Sequence, residues 1–202
     1  MLRSFLGLAT LVLAGLLATS TSKGSEIATA TISGTEISPG EFHYNLTLDD
    51  IGTTTLGTFW FAWVPGDNFM PVSPTSITSA TGWQDIVTSG GPSGGSAIQW
   101  TAMTSANDLA AGHTLSGFSF DSSLTLAQLE SPSIGHPSDP VDTAFVYSGG
   151  PFSDAGLQIV AAPTAAVATP EPTTTLITTI GFGLIALCSG FLRWRKRAGT
   201  IR

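Results

Sequence analysis

Turn-forming residues interrupt the apolar runs throughout the central part of this chain, and this pattern restricts the possible folds more than any other feature. The 202 residues include 23 glycines and 12 prolines. The runs between them are short, rich in threonine and aromatic residues, and several alternate between apolar and polar positions. Such alternation is typical of a half-buried strand, whereas an amphipathic helix repeats about every 3.6 residues. We therefore expect an all-β domain.

The clearest strand pattern lies between Phe42 and Leu48, where every second residue is apolar. Residues 59–64 are apolar on both faces, which predicts a central strand covered on both sides. The predicted strands cover residues 27–32, 42–48, 55–64, 76–81, 85–88, 97–102, 114–120, 143–147 and 157–161. A short helical turn is expected at 124–130, and long loops at 65–74, 89–96 and 131–140. Many short strands separated by glycine and proline predict an antiparallel two-sheet β-sandwich over residues 25–161.

Basic and acidic residues occupy separate parts of the chain. Lysine and arginine are absent between Lys23 and Arg193, whereas all 14 acidic residues lie in that interval. Protein contacts to nucleic acid phosphates depend on lysine and arginine, so we expect no nucleic acid partner. The same absence excludes an arginine clamp for phosphorylated substrates. The single cysteine, Cys188, lies outside the predicted domain, which excludes disulfides and thiolate sites within that domain.

The N-terminal residues 1–22 have the composition of a secretory signal peptide. Arg3 supplies a positive charge, residues 5–18 form an apolar core, and small residues follow it. This order of charge, apolar core and small residues is what signal peptidase substrates share. We therefore expect export of the chain and removal of residues 1–22.

The C-terminal region resembles a membrane span followed by a stop signal. Residues 173–192 carry no charge, and a helix of this length spans about 30 Å, the thickness of the hydrocarbon core of a bilayer. Basic residues directly after a span remain on the cytoplasmic side, which predicts an N-out, C-in orientation. The basic residues here are Arg193, Arg195, Lys196 and Arg197. Residues 162–169, rich in alanine and proline, form the predicted linker before this region.

Pro170, Glu171 and Pro172 stand immediately before the predicted span. Together with the span and the basic cluster, residues 170–197 resemble the PEP-CTERM sorting tail of Gram-negative bacteria. A threonine precedes the motif where valine is common. The resemblance implies processing near Pro170-Glu171-Pro172 by an exosortase, and association with the cell surface or with an exopolysaccharide matrix. Eukaryotic lipid-anchor signals do not end in arginines, and the Leu-Pro-x-Thr-Gly signal of Gram-positive sortases is absent.

Two patterns that could carry catalysis or bind zinc are weak in this sequence. Residues 91–95 match G-x-S-x-G, but the nucleophile elbow needs a strand before the serine and a helix after it, and no helix is predicted there. His43, His113 and His136 lack the paired spacing of zinc ligands. We expect His43 to face solvent, and we place His113 and His136 in turns or loops.

Carboxylates are the remaining candidates for chemistry. Asp49, Asp50, Asp67, Asp139 and Asp142 lie at strand ends or in loops, where calcium binding is an alternative to solvated turn carboxylates. A glycosidase would need two facing carboxylates. The sequence places no two of its glutamates together: Glu26, Glu36, Glu41 and Glu130. We expect no enzymatic activity and no required cofactor, with a hydrolase as the least favoured reading.

Four tryptophans lie in the predicted domain: Trp60, Trp63, Trp83 and Trp100. Trp60 and Trp63 should fall on opposite faces of one strand, so at least one belongs to the core. Core packing is the favoured role for all four, and stacking on sugar rings is the alternative. The sequence thus predicts a non-enzymatic surface or matrix protein with a structural or adhesive domain. A carbohydrate-binding module is the alternative, and an exposed aromatic platform would distinguish it.

Overall fold

The computed structural model describes residues 25–164. The predicted signal peptide, membrane helix and sorting motif therefore lie outside the described residues. The described part contains thirteen strands, one short α-helix and one turn of 3-10 helix. The strands are β1 (Ala28–Ser38), β2 (Glu41–Asp50), β3 (Thr58–Phe61), β4 (Trp63–Val64), β5 (Asp67–Asn68), β6 (Thr75–Thr78), β7 (Trp83–Ser89), β8 (Ser96–Ala102), β9 (Thr114–Ser122), β10 (Pro132–Ser133), β11 (His136–Pro140), β12 (Thr143–Tyr147) and β13 (Leu157–Pro163). The α-helix is α1 (Leu126–Leu129), and the 3-10 turn is Ser105–Asn107.

Nine strands form one mixed sheet in the order β6-β9-β2-β1-β13-β12-β3-β8-β7. The longest antiparallel ladder joins β1 to β2, from Ala28 opposite Asp50 to Ser38 opposite Glu41. Two small hairpins, β4-β5 and β10-β11, stand apart from this sheet. The prediction of a mostly-β domain is confirmed, and each predicted strand overlaps an observed one.

The sheet is nearly closed into a barrel, so the predicted arrangement in two separate sheets is wrong. Its two edge strands, β6 and β7, are consecutive in the chain and are joined by residues 79–82 alone. The Ser79 hydroxyl donates to the Asp85 carboxylate across this link at 2.5 Å, and Trp83 N–H donates to the Ala80 carbonyl at 2.9 Å. Because so short a link joins opposite edges, the sheet must curl until those edges approach each other.

The inner face of the curled sheet forms the core. Register places the alternate residues of β2, β3, β8 and β9 on this face, and their side chains are almost fully buried. Aromatic rings dominate the packing, with Phe59 stacked on Trp100 at 5.5 Å and Tyr44 stacked on Phe120 at 5.2 Å. The largest fully buried side chains of residues 25–164, most of them on this inner face, are Trp100, Tyr44, Tyr147, Phe59, Phe61, Phe69, Phe118, Phe120, Ile32, Leu46, Leu48 and Leu56. An aromatic side chain buries about 150–250 Å², so this layer supplies much of the hydrophobic stabilisation.

Strands β3 and β12 are buried on both faces, which confirms the prediction of a doubly covered central strand. The predicted strand over residues 55–64, however, is interrupted. Ala62 has φ of 58°, a left-handed conformation that non-glycine residues adopt rarely and that ends the extended chain. The residues beyond Ala62 turn back as the β4-β5 hairpin over the outer face of β3.

Two local predictions outside the main sheet have opposite outcomes. The helical turn at 124–130 is confirmed as α1, where Thr125 and Gln128 form a reciprocal capping box. The loop predicted at 131–140 is instead largely the β10-β11 hairpin. Within residues 25–164, no helix has the length and apolar character needed to cross a membrane.

Candidate binding site

Five aromatic side chains gather on the outer face of β3 and β12. Cross-strand register places Trp60 beside Phe145, and because Phe59 and Phe61 point into the core, Trp60 must point outward. We call this group the outer aromatic cluster: Trp60, Trp63, Phe145, Tyr147 and Phe152. It is a second apolar centre, on the opposite side of the sheet from the core.

The stacking of Trp60 on Trp63 corrects the prediction that they lie on opposite faces. Their rings are parallel, with an interplanar angle of 6° and centroids 3.9 Å apart. Strict alternation would separate them, but the left-handed Ala62 reverses the chain direction and returns Trp63 over Trp60. Both side chains are buried, as are Trp83 and Trp100, so the prediction that the tryptophans pack inside the domain is confirmed, with Trp60 and Trp63 packed in the outer aromatic cluster.

Phe152 covers this cluster from the loop between β12 and β13. Its ring meets Trp60 and Trp63 edge-on at 5.7 and 5.8 Å. The side chain nevertheless remains 63% exposed, and its φ of 62° is in the left-handed region. Asp154 fixes the base of the loop by accepting hydrogen bonds from Ser148 N–H at 2.9 Å and Gly156 N–H at 2.7 Å. Phe152 is therefore an exposed aromatic residue on an anchored loop.

An open depression of about 410 Å³ lies next to this loop. Its lining residues belong to β7, β8 and the Phe152 loop: Gln84, Asp85, Ile86, Gln99, Thr101 and Pro151. Register pairs Gln84 with Thr101 and Ile86 with Gln99, so these four side chains share the outer face. The same register continues from Gln99 to Trp60 on β3. The depression and the outer aromatic cluster are thus neighbours on one surface.

The polar groups of the depression are neutral apart from Asp85. The Gln99 amide donates to the Thr101 hydroxyl at 3.3 Å, a long hydrogen bond. The side chain of Gln84 is exposed. Amide and hydroxyl groups both donate and accept hydrogen bonds. The depression therefore presents neutral groups that both donate and accept hydrogen bonds, beside the apolar side chains of Ile86 and Pro151.

Glu26 and Asp154 form a carboxyl pair at the base of the Phe152 loop. Burial, then the hydrogen bond and negative charge of Asp154, raise the pKa of Glu26 to about 7. Burial alone would raise the pKa of Asp154, but hydrogen bonds from Ser148, Glu26 and Gly156 outweigh this effect and lower its pKa to about 2. The pair therefore shares one proton over the pH range between these values. Neither carboxyl lines the depression.

The Asp67 side chain contacts residues of loops that are distant from it in the sequence. It is buried, and its carboxylate accepts hydrogen bonds from Ser93 N–H at 3.0 Å and Ser93 Oγ at 2.6 Å. His136 Nε2 lies 3.1 Å from the same carboxylate. Burial alone would raise the pKa of Asp67, but the hydrogen bonds from Ser93 and Asn68 and the charge of His136 together hold it below its usual value.

This cluster does not form a serine nucleophile site. Ser93 belongs to the G-x-S-x-G match at 91–95, but it lies in the hairpin loop between β7 and β8, with no helix after it. In a catalytic triad the histidine stands between serine and aspartate, whereas here Asp67 stands between Ser93 and His136. The Ser93 hydroxyl donates a hydrogen bond to the Asp67 carboxylate, and His136 contacts that carboxylate rather than the serine.

The other sequence candidates are dispersed. His43, half exposed on β2, lies 2.6 Å from Asp121 on β9, and His113 is exposed near a turn. Burial, then the charge of Glu130, raise the pKa of Asp142 to about 7. Two of the three histidines, His43 and His136, thus meet carboxylates. Among residues 25–164, no group of three or more histidine, cysteine or acidic side chains is arranged to hold a metal ion.

Several predicted functional residues lie outside the described residues. They are the sorting motif and the basic cluster: Pro170, Glu171, Pro172, Arg193, Arg195, Lys196 and Arg197. Conversely, Gln84, Gln99 and Phe152 were not among the functional residues predicted from the sequence. Alternation around Gln99, between the apolar Ile98 and Trp100, shows that it points away from the core. Its proximity to Pro151 depends on a contact between distant segments, which alternation does not reveal.

Comparison with known proteins provides no family for this chain. No protein-family model matches it, and no curated protein matches its sequence. Two solved structures of the GH20 exo β-N-acetylglucosaminidase from Vibrio harveyi, one with N-acetylglucosamine and one an inactive mutant, show a distant similarity. Their TM-scores are 0.38 and 0.39, with 11% and 14% sequence identity. The similarity covers 69% of this chain but 18% of the enzyme, and it is too weak to carry an argument.

Proposed function

We propose that this chain is an exported protein of a Gram-negative bacterium that is displayed at the cell surface or in the extracellular matrix. The signal peptide at residues 1–22, the Pro-Glu-Pro motif, the apolar span at 173–192 and the basic cluster support export and membrane tethering. The protein first crosses the inner membrane once, N-out and C-in. An exosortase-type enzyme is the proposed processing partner, and exopolysaccharide or other surface proteins are the proposed neighbours.

The β domain has a non-enzymatic structural or adhesive role in this proposal. The observation that supports this role is that carboxylates of the domain bond to other groups of the same domain, which has no lysine or arginine. Asp67, Asp121 and Asp154 all accept hydrogen bonds or ion pairs from the domain's own serine, histidine and backbone groups. These acids stabilise loops of the domain, and in that role they are not available to act on a substrate.

A carbohydrate-binding module is the second candidate. Gln84, Gln99 and Thr101 line an open depression beside the exposed Phe152, a combination of neutral polar groups and an aromatic ring that suits sugars. The burial of all four tryptophans of the domain counts against binding through an exposed tryptophan platform. Any sugar site would therefore depend on the depression.

The test of the proposed surface role is the intact mass and terminal sequence of the mature protein from its native host. Loss of residues 1–22 together with a C-terminus near Pro170-Glu171-Pro172 is the expected result. Recovery from the cell surface or the medium should accompany it. A chain that keeps its N-terminus and remains in the cytoplasm would overturn the proposal of export. A chain that extends through Arg202 in the membrane fraction would overturn exosortase processing and leave a permanently anchored protein.

A further inference from the structure

The indole N–H of Trp60 differs from those of the two tryptophans in the core. Trp83 Nε1 donates to the Asn107 carbonyl at 2.9 Å, and Trp100 Nε1 donates to the Thr78 carbonyl at 3.1 Å. Trp60 is only 6% exposed, yet its Nε1 is buried without a hydrogen-bond partner among residues 25–164. A buried donor that lacks a partner destabilises the folded state, so such groups in folded proteins call for a specific explanation.

The position of Trp60 suggests that explanation. Trp60 lies opposite Gln99 in the β3-β8 ladder, and Gln99 lines the depression. On its other side Trp60 contacts Phe152, whose neighbour Pro151 forms part of the depression wall. Trp60 is not itself part of the depression lining, but it lies next to Gln99 on the same outer face and against the exposed Phe152.

We propose that the depression and Trp60 together bind a neutral saccharide segment. The amides of Gln84 and Gln99 and the hydroxyl of Thr101 would pair with sugar hydroxyls, which need groups that both donate and accept. Ile86 and Pro151 would contact the apolar face of the ring. The indole N–H of Trp60 would donate a hydrogen bond to an oxygen of the ligand. This inference deepens the proposed surface role by naming the ligand class of the domain.

The negative charge of the domain favours a neutral saccharide over an acidic one. Asp85 is the charged residue of the lining, and the chain has no lysine or arginine between Lys23 and Arg193 that would neutralise an acidic sugar. A uronic acid polymer would meet an uncompensated negative surface, and its binding would be weakened at low ionic strength. A neutral glucan or mannan would not meet this repulsion.

Phe152 controls access to the indole in this proposal. Its ring contacts Trp60, Trp63 and Tyr147 but is itself largely exposed, so rotating it away would break these three ring contacts and expose the cluster. A ligand that enters the depression would displace Phe152 and occupy the space beside Trp60. The ring of Phe152 would then be free to contact the ligand.

The experiment is saturation-transfer difference NMR on the full-length protein in micelles of a detergent that has no sugar headgroup. The probes are a neutral β-linked glucose hexamer, a neutral β-linked mannose hexamer and a glucuronic acid hexamer, each at millimolar concentration. We expect signal from at least one neutral hexamer and a clearly weaker signal from the acidic one. No signal from either neutral hexamer, or an equal signal from the acidic hexamer, would overturn the proposal.

Three variants locate the site. Trp60→Phe keeps an aromatic ring but removes the N–H, and the loss of one hydrogen bond should raise Kd about tenfold. Gln99→Ala should also raise Kd several-fold. Gln158→Ala is the matched control, because Gln158 follows Phe145 in the same cross-strand row but lies outside the depression. Equal binding by Gln99→Ala and the unmodified protein would contradict this site. Because export is measured separately by terminal sequencing, a failure here leaves the surface role standing.

Discussion

Asp67 is the residue on which the loops at one end of the domain depend. Its two carboxylate oxygens accept hydrogen bonds from Ser93 and Asn68, and His136 lies beside them. Asn at this position would keep the size of the side chain but would turn an NH2 group toward groups that themselves donate. We therefore expect Asp67→Asn to lower the free energy of unfolding by about 3 kcal/mol.

Urea unfolding followed by tryptophan fluorescence measures this change. Asp85→Asn is the matched control, because Asp85 is exposed and its carboxylate accepts one hydrogen bond, from Ser79. Its loss should be below about 1 kcal/mol. Similar losses in the two variants would show that Asp67 does not hold the three loops together.

Glu26 should make stability depend on pH near neutrality. Its pKa is raised from 4.5 to about 7 by burial and by Asp154, so the folded chain retains a proton that the unfolded chain releases. The stabilisation is fully present below pH 4.5 and is lost as the pH rises through about 7. Asp154, with its pKa lowered to about 2, acts in the opposite direction and only in strong acid.

The variant Glu26→Gln tests this pH dependence, because it keeps a neutral hydrogen-bonding group at every pH. We expect the difference in free energy of unfolding between the unmodified protein and Glu26→Gln to shift in favour of the variant as the pH rises from 4.5 to 7.5. Denaturant titrations at intervals over that range measure it. Glu41→Gln, on β2 and outside the pair, serves as the control. A constant difference across the range would contradict the shared proton.

At the scale of elements, the β7-β8 hairpin has two adjacent glycines with different surroundings. Gly90 and Gly91 both have positive φ, at 106° and 83°, so alanine is strained at either position. A Cβ on Gly90 would meet no atom within 4 Å, whereas a Cβ on Gly91 would lie 2.4 Å from Asp67 Oδ1. Only the second substitution presses directly on the buried carboxylate.

The comparison of Gly91→Ala with Gly90→Ala therefore isolates this steric contact. We expect Gly90→Ala to cost about 1–2 kcal/mol from backbone strain alone. Gly91→Ala should cost at least about 2 kcal/mol more, as overpacking against fixed atoms does. Thermal unfolding by circular dichroism provides the ranking. Equal melting temperatures would mean that the loop shifts freely and that the Asp67 cluster does not fix it.

Strands were predicted correctly where their residue pattern is regular over the whole segment. They were missed where a single residue departs from the extended conformation. Residues 143–147 were predicted as a strand and are β12, because every residue there suits a doubly covered strand. The break at Ala62 was not foreseen, since alanine gives no sign of a positive φ. That one residue places Trp63 over Trp60 and so creates the outer aromatic cluster. The candidate site was therefore less predictable than the strands that support it.

At the scale of the whole molecule, the sequence pattern predicted the strands but not the sheet they form. Alternation reports which side chains face the core, and that requirement is the same for a sandwich and for a curled sheet. The near closure depends on the short link between the edge strands β6 and β7 and on the order of strands between them. Both are properties of long-range pairing, which a residue pattern does not encode directly.

Four basic residues follow the apolar span directly. Positive residues after an apolar span are retained on the cytoplasmic side, so Arg193, Arg195, Lys196 and Arg197 should act as the stop signal. Replacing all four with glutamine leaves the apolar span intact but removes this signal. We expect the variant to lose retention in the membrane or C-terminal processing in the native host, while the β domain remains folded.

Fractionation and intact mass of the variant and the unmodified protein, expressed side by side, measure this outcome. The control replaces Arg202 alone, since it stands apart from the cluster and leaves four basic residues beside the span. The circular dichroism of the recovered β domain should be unchanged in both variants, which separates a sorting defect from misfolding. If the four-residue variant has the same size and location as the unmodified protein, the cluster is not a sorting signal. The assignment of residues 170–197 as a sorting tail would then lose its support.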